Sequence, residues 1–326
     1  MPRSRFAAHL VAALVLAATA CVDPSAPTDA RSPADVASPS LEVALAPAPA
    51  PASVLNLAYA TRSTAEKLDL YLPTGKGPFP VVLWLHPGGW QTGDKKISST
   101  SVQMKLLANG YALASANYRL SGQARYPAQI QDAKAAVRWL RANAALYKLD
   151  PKRIGVWGLS AGAHLAALLG TTSGVTALTD LSLGNAGQSD AVKAVVAMAT
   201  PVNFLTLDAL LKQDGCKLYN GTGHNAAGSP PSLLMGAPIQ TIASKVATAN
   251  PQQYVSVGDA KFLIQHGQAD CTIPWQHGQT LHQRLQAVLG ASASQLDLFP
   301  TGKHGGTHFT SDANFARILA FLRANL

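Results

Sequence analysis

The chain has 326 residues, 48% of them hydrophobic and 13% charged, with 26 Lys and Arg against 17 Asp and Glu for a formal net charge of +9. That length suffices for one large α/β domain with a substantial core, or for two small domains. Lys and Arg are scattered with no basic block, which argues against a nucleic-acid partner; the excess charge suits polyanionic surroundings without specifying one.

Residues 1–20 read as an export signal. Arg3 and Arg5 form a positive start, residues 7–17 an apolar run too short to span a bilayer, and Ala18-Thr19-Ala20 a small-residue cleavage site. Cys21 follows at once and is the lipidation candidate, because the site resembles a bacterial lipoprotein box, with Ala18 where leucine is usual. The expectation is an exported protein at the periplasm or cell surface, touching a membrane only through an N-terminal lipid, or else plainly secreted. Residues 21–53 are rich in Pro, Ala and Ser and read as an extended tether. With Cys21 set aside, Cys216 and Cys271 remain: an oxidising compartment allows a disulfide between them, and two buried free thiols are the alternative.

Residues 54–326 read as one α/β domain. Residues 55–59 and 67–72 alternate apolar and polar, as half-buried strands do; residues 80–85 are continuously apolar, as a strand covered on both faces should be. A helix is expected over 97–109, a strand over 111–118, and a helix over 130–146, where Ile130, Ala133, Val137, Leu140 and Ala144 share a face. Strands follow at 154–157, 191–199, 261–265 and 296–299, with helices at 280–289 and 315–326. This alternation calls for a mostly parallel sheet with helices on both faces. Residues 201–255, rich in Gly, Pro, Asn and Ser, break the rhythm and read as an insertion, either covering part of a site or making a surface excursion.

Gly158-Leu159-Ser160-Ala161-Gly162 lies between an apolar strand and an apolar helix, the setting of a nucleophile elbow. A serine hydroxyl needs a base, and the base an orienting carboxylate. Asp270, in the turn after the strand at 261–265, fits the acid; Asp208 is the alternative, and Asp259 lies at the wrong end of that strand. His304, in the glycine-bearing loop after the last strand, fits the base, with His308 its competitor. Gly305-Gly306 between the two histidines opposes the helix that an i, i+4 metal pair needs, so no metal is expected and no cofactor is implied. His86-Pro87-Gly88-Gly89-Trp90 follows the strand at 80–85; the N–H groups of Gly88, Gly89 and Trp90, with that of Ala161, are the candidate donors to an oxyanion. His86, His164 and His266 flank these motifs and read as packing and supporting groups.

Together these residues resemble the α/β-hydrolase superfamily, and within it bacterial carboxylesterases of the hormone-sensitive-lipase-like and feruloyl/acetyl-xylan-esterase-like branch. The resemblance runs from about residue 54 to the end of the chain. It rests on His86–Trp90 for the oxyanion turn, Pro127-Ala128 with Asp132 for a helix start, Asp150-Pro151 with Arg153-Ile154 for a strand start, Gly158–Ala166 for the elbow, His266–Pro274 for the acid loop and Gly302-Lys303-His304 for the base loop. Pro87 replaces the first glycine of the family's oxyanion turn, which puts that turn's geometry in doubt; Ala163 replaces a frequent glycine. The resemblance implies the α/β-hydrolase fold and ester hydrolysis through an acyl-enzyme. The substrate is then a small-molecule or polysaccharide-linked ester, with short acyl chains favoured. A prolyl-oligopeptidase-like peptidase and a catalytically silent binding module are the alternatives.

Overall fold

The structure, a computed structural model, describes residues 52–326. The leader at 1–20, the lipidation candidate Cys21 and the tether as far as residue 51 lie outside the described residues. Within them, β1 (Ser53–Ala58) and β2 (Lys67–Tyr71) pair antiparallel and lead into β3 (Phe79–Leu85), α1 (Lys105–Ala108), β4 (Ala112–Ala116) and α2 (Ala128–Ala142). Then come β5 (Leu149–Leu159), α3 (Ala161–Thr171) and β6 (Ala194–Met198), and the short helices α4 (Leu207–Gln213), α5 (Pro230–Met235) and α6 (Ala243–Ala247). The chain closes with β7 (Lys261–Gly267), α7 (Gln276–Leu289), β8 (Ser294–Phe299), α8 (Thr307–Thr310) and α9 (Asp312–Asn325).

All eight strands form one sheet in the order β1-β2-β4-β3-β5-β6-β7-β8, parallel from β4 to β8. The continuously apolar strands serve two cores at once, because successive side chains point to opposite faces. Val81, Leu83 and Leu85 of β3 pack on the side of α2, α3 and α7, while Val82 and Trp84 pack on the side of α1 and α9. Val156 and Trp157 of β5 divide in the same way. Trp84 and Trp157 are register partners and meet edge to face at 5.6 Å.

The helix expected over 97–109 is corrected. Only a 3-10 turn at Val102–Met104 and the single turn of α1 form. Ser98-Ser99-Thr100-Ser101 precede them, and the Ser98 hydroxyl accepts the Thr100 N–H at 3.3 Å. Short hydroxyl side chains bond the local backbone and compete with helix in this way. The other expected elements are present with ends shifted by a few residues, β5 being the longest strand at 11 residues. Residues 201–255 are short helices and turns, not a strand–helix unit.

One buried ion pair ties the sheet to α2. Arg119, just past β4, holds Asp132 of α2 through Nε and a terminal guanidinium N–H at 2.6–3.0 Å, and Asp132 also accepts the Arg119 backbone N–H at 2.8 Å. Glu66 lies 3.5 Å from the same guanidinium. Asp132 is fully buried, and removing one partner of a buried pair strands the other charge, which costs about 3–5 kcal/mol. Asp132→Ala is therefore expected to lower the unfolding free energy by about that amount in urea titration. A change below about 1 kcal/mol would mean that the pair carries no net stability.

Candidate active site

β5 turns into α3 at Ser160, whose backbone sits at φ 56° and ψ −120°. A non-glycine residue there is strained by about 1–3 kcal/mol and persists only where its surroundings dictate it. They do: a Cβ at Gly158 would collide with the backbone of Gly162, and one at Gly162 with the carbonyl of Leu85 at the end of β3. Strand, helix and neighbouring strand cross with no room for side chains at these two positions. Ser160 N–H donates to the Met198 carbonyl of β6 at 2.9 Å, and Ser160 itself opens α3, so its side chain stands at the carboxyl edge of the sheet.

His304 and Asp270 reach the same point from the loops after β8 and β7. His304 Nε2 lies 2.8 Å from Ser160 Oγ, and His304 Nδ1 lies 2.8 Å from Asp270 Oδ2. The carboxylate accepts only, so Nδ1 carries the proton and Nε2 faces the hydroxyl as an acceptor. Asp270 Oδ1 accepts the N–H groups of Thr272 and Ile273 at 2.8 and 3.0 Å. His266 Nε2 lies 3.4 Å from Asp270 Oδ2 and 3.0 Å from the Ile273 carbonyl. Burial alone would raise the Asp270 carboxyl, but the hydrogen bonds and charges of His266 and His304 outweigh it and hold the group well below the usual carboxylate range.

The turn after β3 faces this array. Gly88, Gly89 and Trp90 all have positive φ, and the Gly88 carbonyl accepts the N–H groups of Gln91 and Thr92 at 3.0 and 3.1 Å. Pro87 fits this turn; its carbonyl lies 2.8 Å from His86 Nδ1. The three residues and Ser160 line one cavity of about 550 Å³ with His304. Ala161 is the first residue of α3, where backbone N–H groups have no acceptor inside the helix and carry the positive end of its dipole. The Trp90 side chain turns away and is buried against His164 and Phe204, with centroids 5.3 and 5.2 Å distant.

Residues 201–255 supply one wall of the cavity through Pro201, Leu207, Tyr219, His224, Pro230 and Pro231. Pro230 lies so close to the turn at Gly88–Trp90 that a Cβ on Gly89 would stand 3.2 Å from it. Cys216 of this insertion lies against Cys271, beside Asp270, with Cα atoms 5.3 Å apart.

Residues 68–285 match the BD-FAE family. The chain belongs to that family. Esterase LipC of Mycobacterium tuberculosis is 29% identical over 74% of this chain and 57% of its own length. The chain spans about half the length of the curated relatives it matches. Among solved structures, a truncated form of a carbohydrate esterase from gut microbiota is 31% identical with a TM-score of 0.74, covering 86% of this chain and 98% of that one. A bifunctional GH43-CE protein of Bacteroides eggerthii is 32% identical with a TM-score of 0.73, covering 83% of this chain and 35% of its own. The fold is that of the α/β-hydrolases.

In this BD-FAE chain Ser160, Asp270 and His304 meet, and the competing residues stand elsewhere. Asp208 is spent on the backbone N–H groups of His224 and Asn225 at 2.7 and 2.9 Å, pinning the insertion. Asp259 accepts from Ser256 in the turn before β7. His308 stacks on Phe299 at 5.4 Å and faces solvent-side Thr301. Sequence reasoning missed the wall residues Tyr219 and His224, which no motif marks, and the Thr272 and Ile273 N–H groups, although the turn chemistry of an aspartate two and three residues upstream is a readable signal.

The elbow histidine His164 supports the site from below. Its Nε2 donates to the Ala249 carbonyl of the insertion at 2.7 Å, and burial pushes its pKa down to about 4. His277, bonded to Val202 N–H and to the Thr206 hydroxyl at 3.0 Å each, is pushed down to about 3, chiefly by burial. Both pKa values lie below the unfolded value of about 6.5. Their contribution to stability is therefore complete above about pH 6.5 and lost as pH falls through the folded values, His164 alone accounting for about 3 kcal/mol. Unfolding free energy measured between pH 7 and 4 is expected to fall steeply, and in His164→Gln the slope is expected to drop by about one proton. An unchanged slope would remove His164 from the account.

Proposed function

We propose that this protein is an exported serine carboxylesterase that hydrolyses short-chain esters through Ser160, His304 and Asp270. The observation that carries the reading is a single imidazole held between hydroxyl and carboxylate, 2.8 Å from each. Ser160 Oγ attacks the ester carbonyl carbon while His304 Nε2 takes the hydroxyl proton. Asp270 keeps the imidazole in the correct tautomer and stabilises its cationic form. Negative charge collects on the former carbonyl oxygen, beside the N–H groups of Ala161 and of the Gly88-Gly89-Trp90 turn; one such donor is worth about 10²–10³ in rate. Collapse breaks the C–O bond to the alcohol, which leaves with the proton from His304. Water then attacks the acyl-enzyme by the same steps and restores Ser160.

Membership of the BD-FAE family and the esterase names of the relatives support the reaction class. The carbohydrate-esterase neighbour supports a sugar- or polysaccharide-linked ester as substrate. A cavity of about 550 Å³, walled by prolines and the oxyanion turn, favours a short acyl group. Export rests on the leader pattern at 1–20, with Cys21 as the lipid site.

Ser160→Ala is expected to lower kcat/KM for p-nitrophenyl acetate by at least about 10³-fold with an unchanged melting temperature. Activity close to the parent would end the assignment. Across a chain-length series of p-nitrophenyl esters, run with acetylated xylan and methyl ferulate, activity is expected to fall beyond the short acyl groups; a preference for long chains would overturn that part. We assign Cys216 and Cys271 as a native disulfide, and non-reducing peptide mapping is expected to recover them as one linked pair. Free thiols at both positions would refute it.

A further inference from the structure

The edge of the sheet where the parallel strands begin carries a row of basic side chains without ion-pair partners. Residues 52–326 hold 23 Lys and Arg (26 less Arg3, Arg5 and Arg31) against 13 Asp and Glu (17 less Asp23, Asp29, Asp35 and Glu42). Lys148 and Lys152 flank the start of β5, Lys193 precedes β6 and Lys261 opens β7; Lys193 N–H donates to the Ile154 carbonyl at 2.8 Å and Lys261 N–H to the Lys193 carbonyl at 3.0 Å, so these residues follow one another along the edge. Lys76, whose neighbour Gly77 packs against the backbone of Lys148, extends the row under β3, and Arg323 at the end of α9 extends it on the other face. Among the described residues none of these six side chains has a carboxylate within ion-pair distance. Of the acidic groups at the same edge, Asp150 pairs with Arg153 at 2.7 Å, while Asp259 accepts the Ser256 N–H at 2.7 Å and makes no ion pair among the described residues. Arg141, Lys152, Lys193 and Lys261 line a concavity of about 570 Å³ in which Asp259 is the one carboxylate, so cations outnumber it four to one.

Two large apolar side chains stand out of the same edge. Leu146, in the turn before β5, is 72% exposed, and Val257, in the turn before β7, is 88% exposed. Uncompensated cations set around protruding aliphatic side chains match the interface of an anionic bilayer: phosphates meet the ammonium groups, and the aliphatic tips enter the headgroup boundary. A soluble polyanion accounts for the cations but offers nothing to Leu146 and Val257.

We infer that this edge is a docking surface for an anionic lipid bilayer, with Lys148, Lys152, Lys193 and Lys261 on the headgroup phosphates and Leu146 and Val257 as shallow apolar contacts. β1 begins at this edge, and Ser160 stands at the opposite one, so a docked molecule presents its cavity away from the lipid. The surface is independent of the esterase reading.

The test is co-sedimentation of the full chain with phosphatidylcholine vesicles containing about 30 mol% phosphatidylglycerol and with pure phosphatidylcholine vesicles, in low salt and in about 0.5 M NaCl. Any contribution of residues 1–51 is common to every variant. The anionic vesicles are expected to bind at least roughly tenfold tighter, and salt to abolish most of the difference. Lys148→Glu, Lys152→Glu and Lys193→Glu combined are expected to remove that difference at an unchanged melting temperature, and Leu146→Ser with Val257→Ser to weaken anionic-vesicle binding several-fold. Equal binding by parent and charge-reversed chain overturns the inference. So does binding of polygalacturonate that the charge reversal abolishes while anionic vesicles bind no better than neutral ones, because the edge then reads polyanions and not lipid.

Discussion

The site depends on the crossing of β5, α3 and the end of β3 at glycines 158 and 162. Backbone meets backbone there, with no space for a Cβ on either residue, and the chain between them is forced through φ 56° at Ser160. The strain is local, whereas the elements that impose it are buried on every side: Ile154, Val156 and Trp157 before the turn and Ala163 to Leu169 after it are at most 1% exposed. Packing of that extent outweighs a few kcal/mol of backbone strain. The hydroxyl is consequently fixed by the two cores of the sheet and not by the loop that carries it.

The second constraint is a carboxylate kept charged where solvent does not reach. Asp270 is 1% exposed, and an unpaired carboxylate in such a place would take up a proton. Two backbone N–H groups, one imidazole at 2.8 Å and a second at 3.4 Å prevent this. The same bonds orient the His304 ring. The imidazole bridges the elbow serine and the acid loop, so the array exists only while both loops stay anchored to their strands.

What was legible in the sequence followed from short-range rules. The short apolar runs of β3, β5, β6 and β7 fit covered strands in length and composition, and the elbow glycines, Asp270 and His304 each sit within a few residues of a strand end. The helix expected over 97–109 is cut short because four consecutive hydroxyl residues, Ser98 to Ser101, compete for the local backbone. Asp132 was visible as part of a motif, yet its partner Arg119 and neighbour Glu66 come from separate turns, and only the sheet brings them together. The cavity wall was opaque for the same reason: Tyr219, His224 and Pro230 lie in a segment with no periodicity, placed by distant contacts.

Those contacts also decide what kind of wall the insertion makes. It is held at one end by the proposed disulfide from Cys216 to Cys271, in the middle by Asp208 on the His224 and Asn225 N–H groups, and further on by the Ala249 carbonyl on His164. The anchors fall on the acid loop, on the insertion itself and on the elbow helix. A hinged lid needs one end free to swing, and a segment pinned at three separated points has none. The proposed bridge would close a stretch of 55 residues, which in the chain-entropy account removes about 4 kcal/mol of disorder from the unfolded chain. Because Cys271 is the residue after Asp270, movement of the wall would pull on the carboxylate that orients His304. Cavity shape and imidazole position are thus one mechanical unit, and a displacement of the wall would be transmitted to His304 through Asp270.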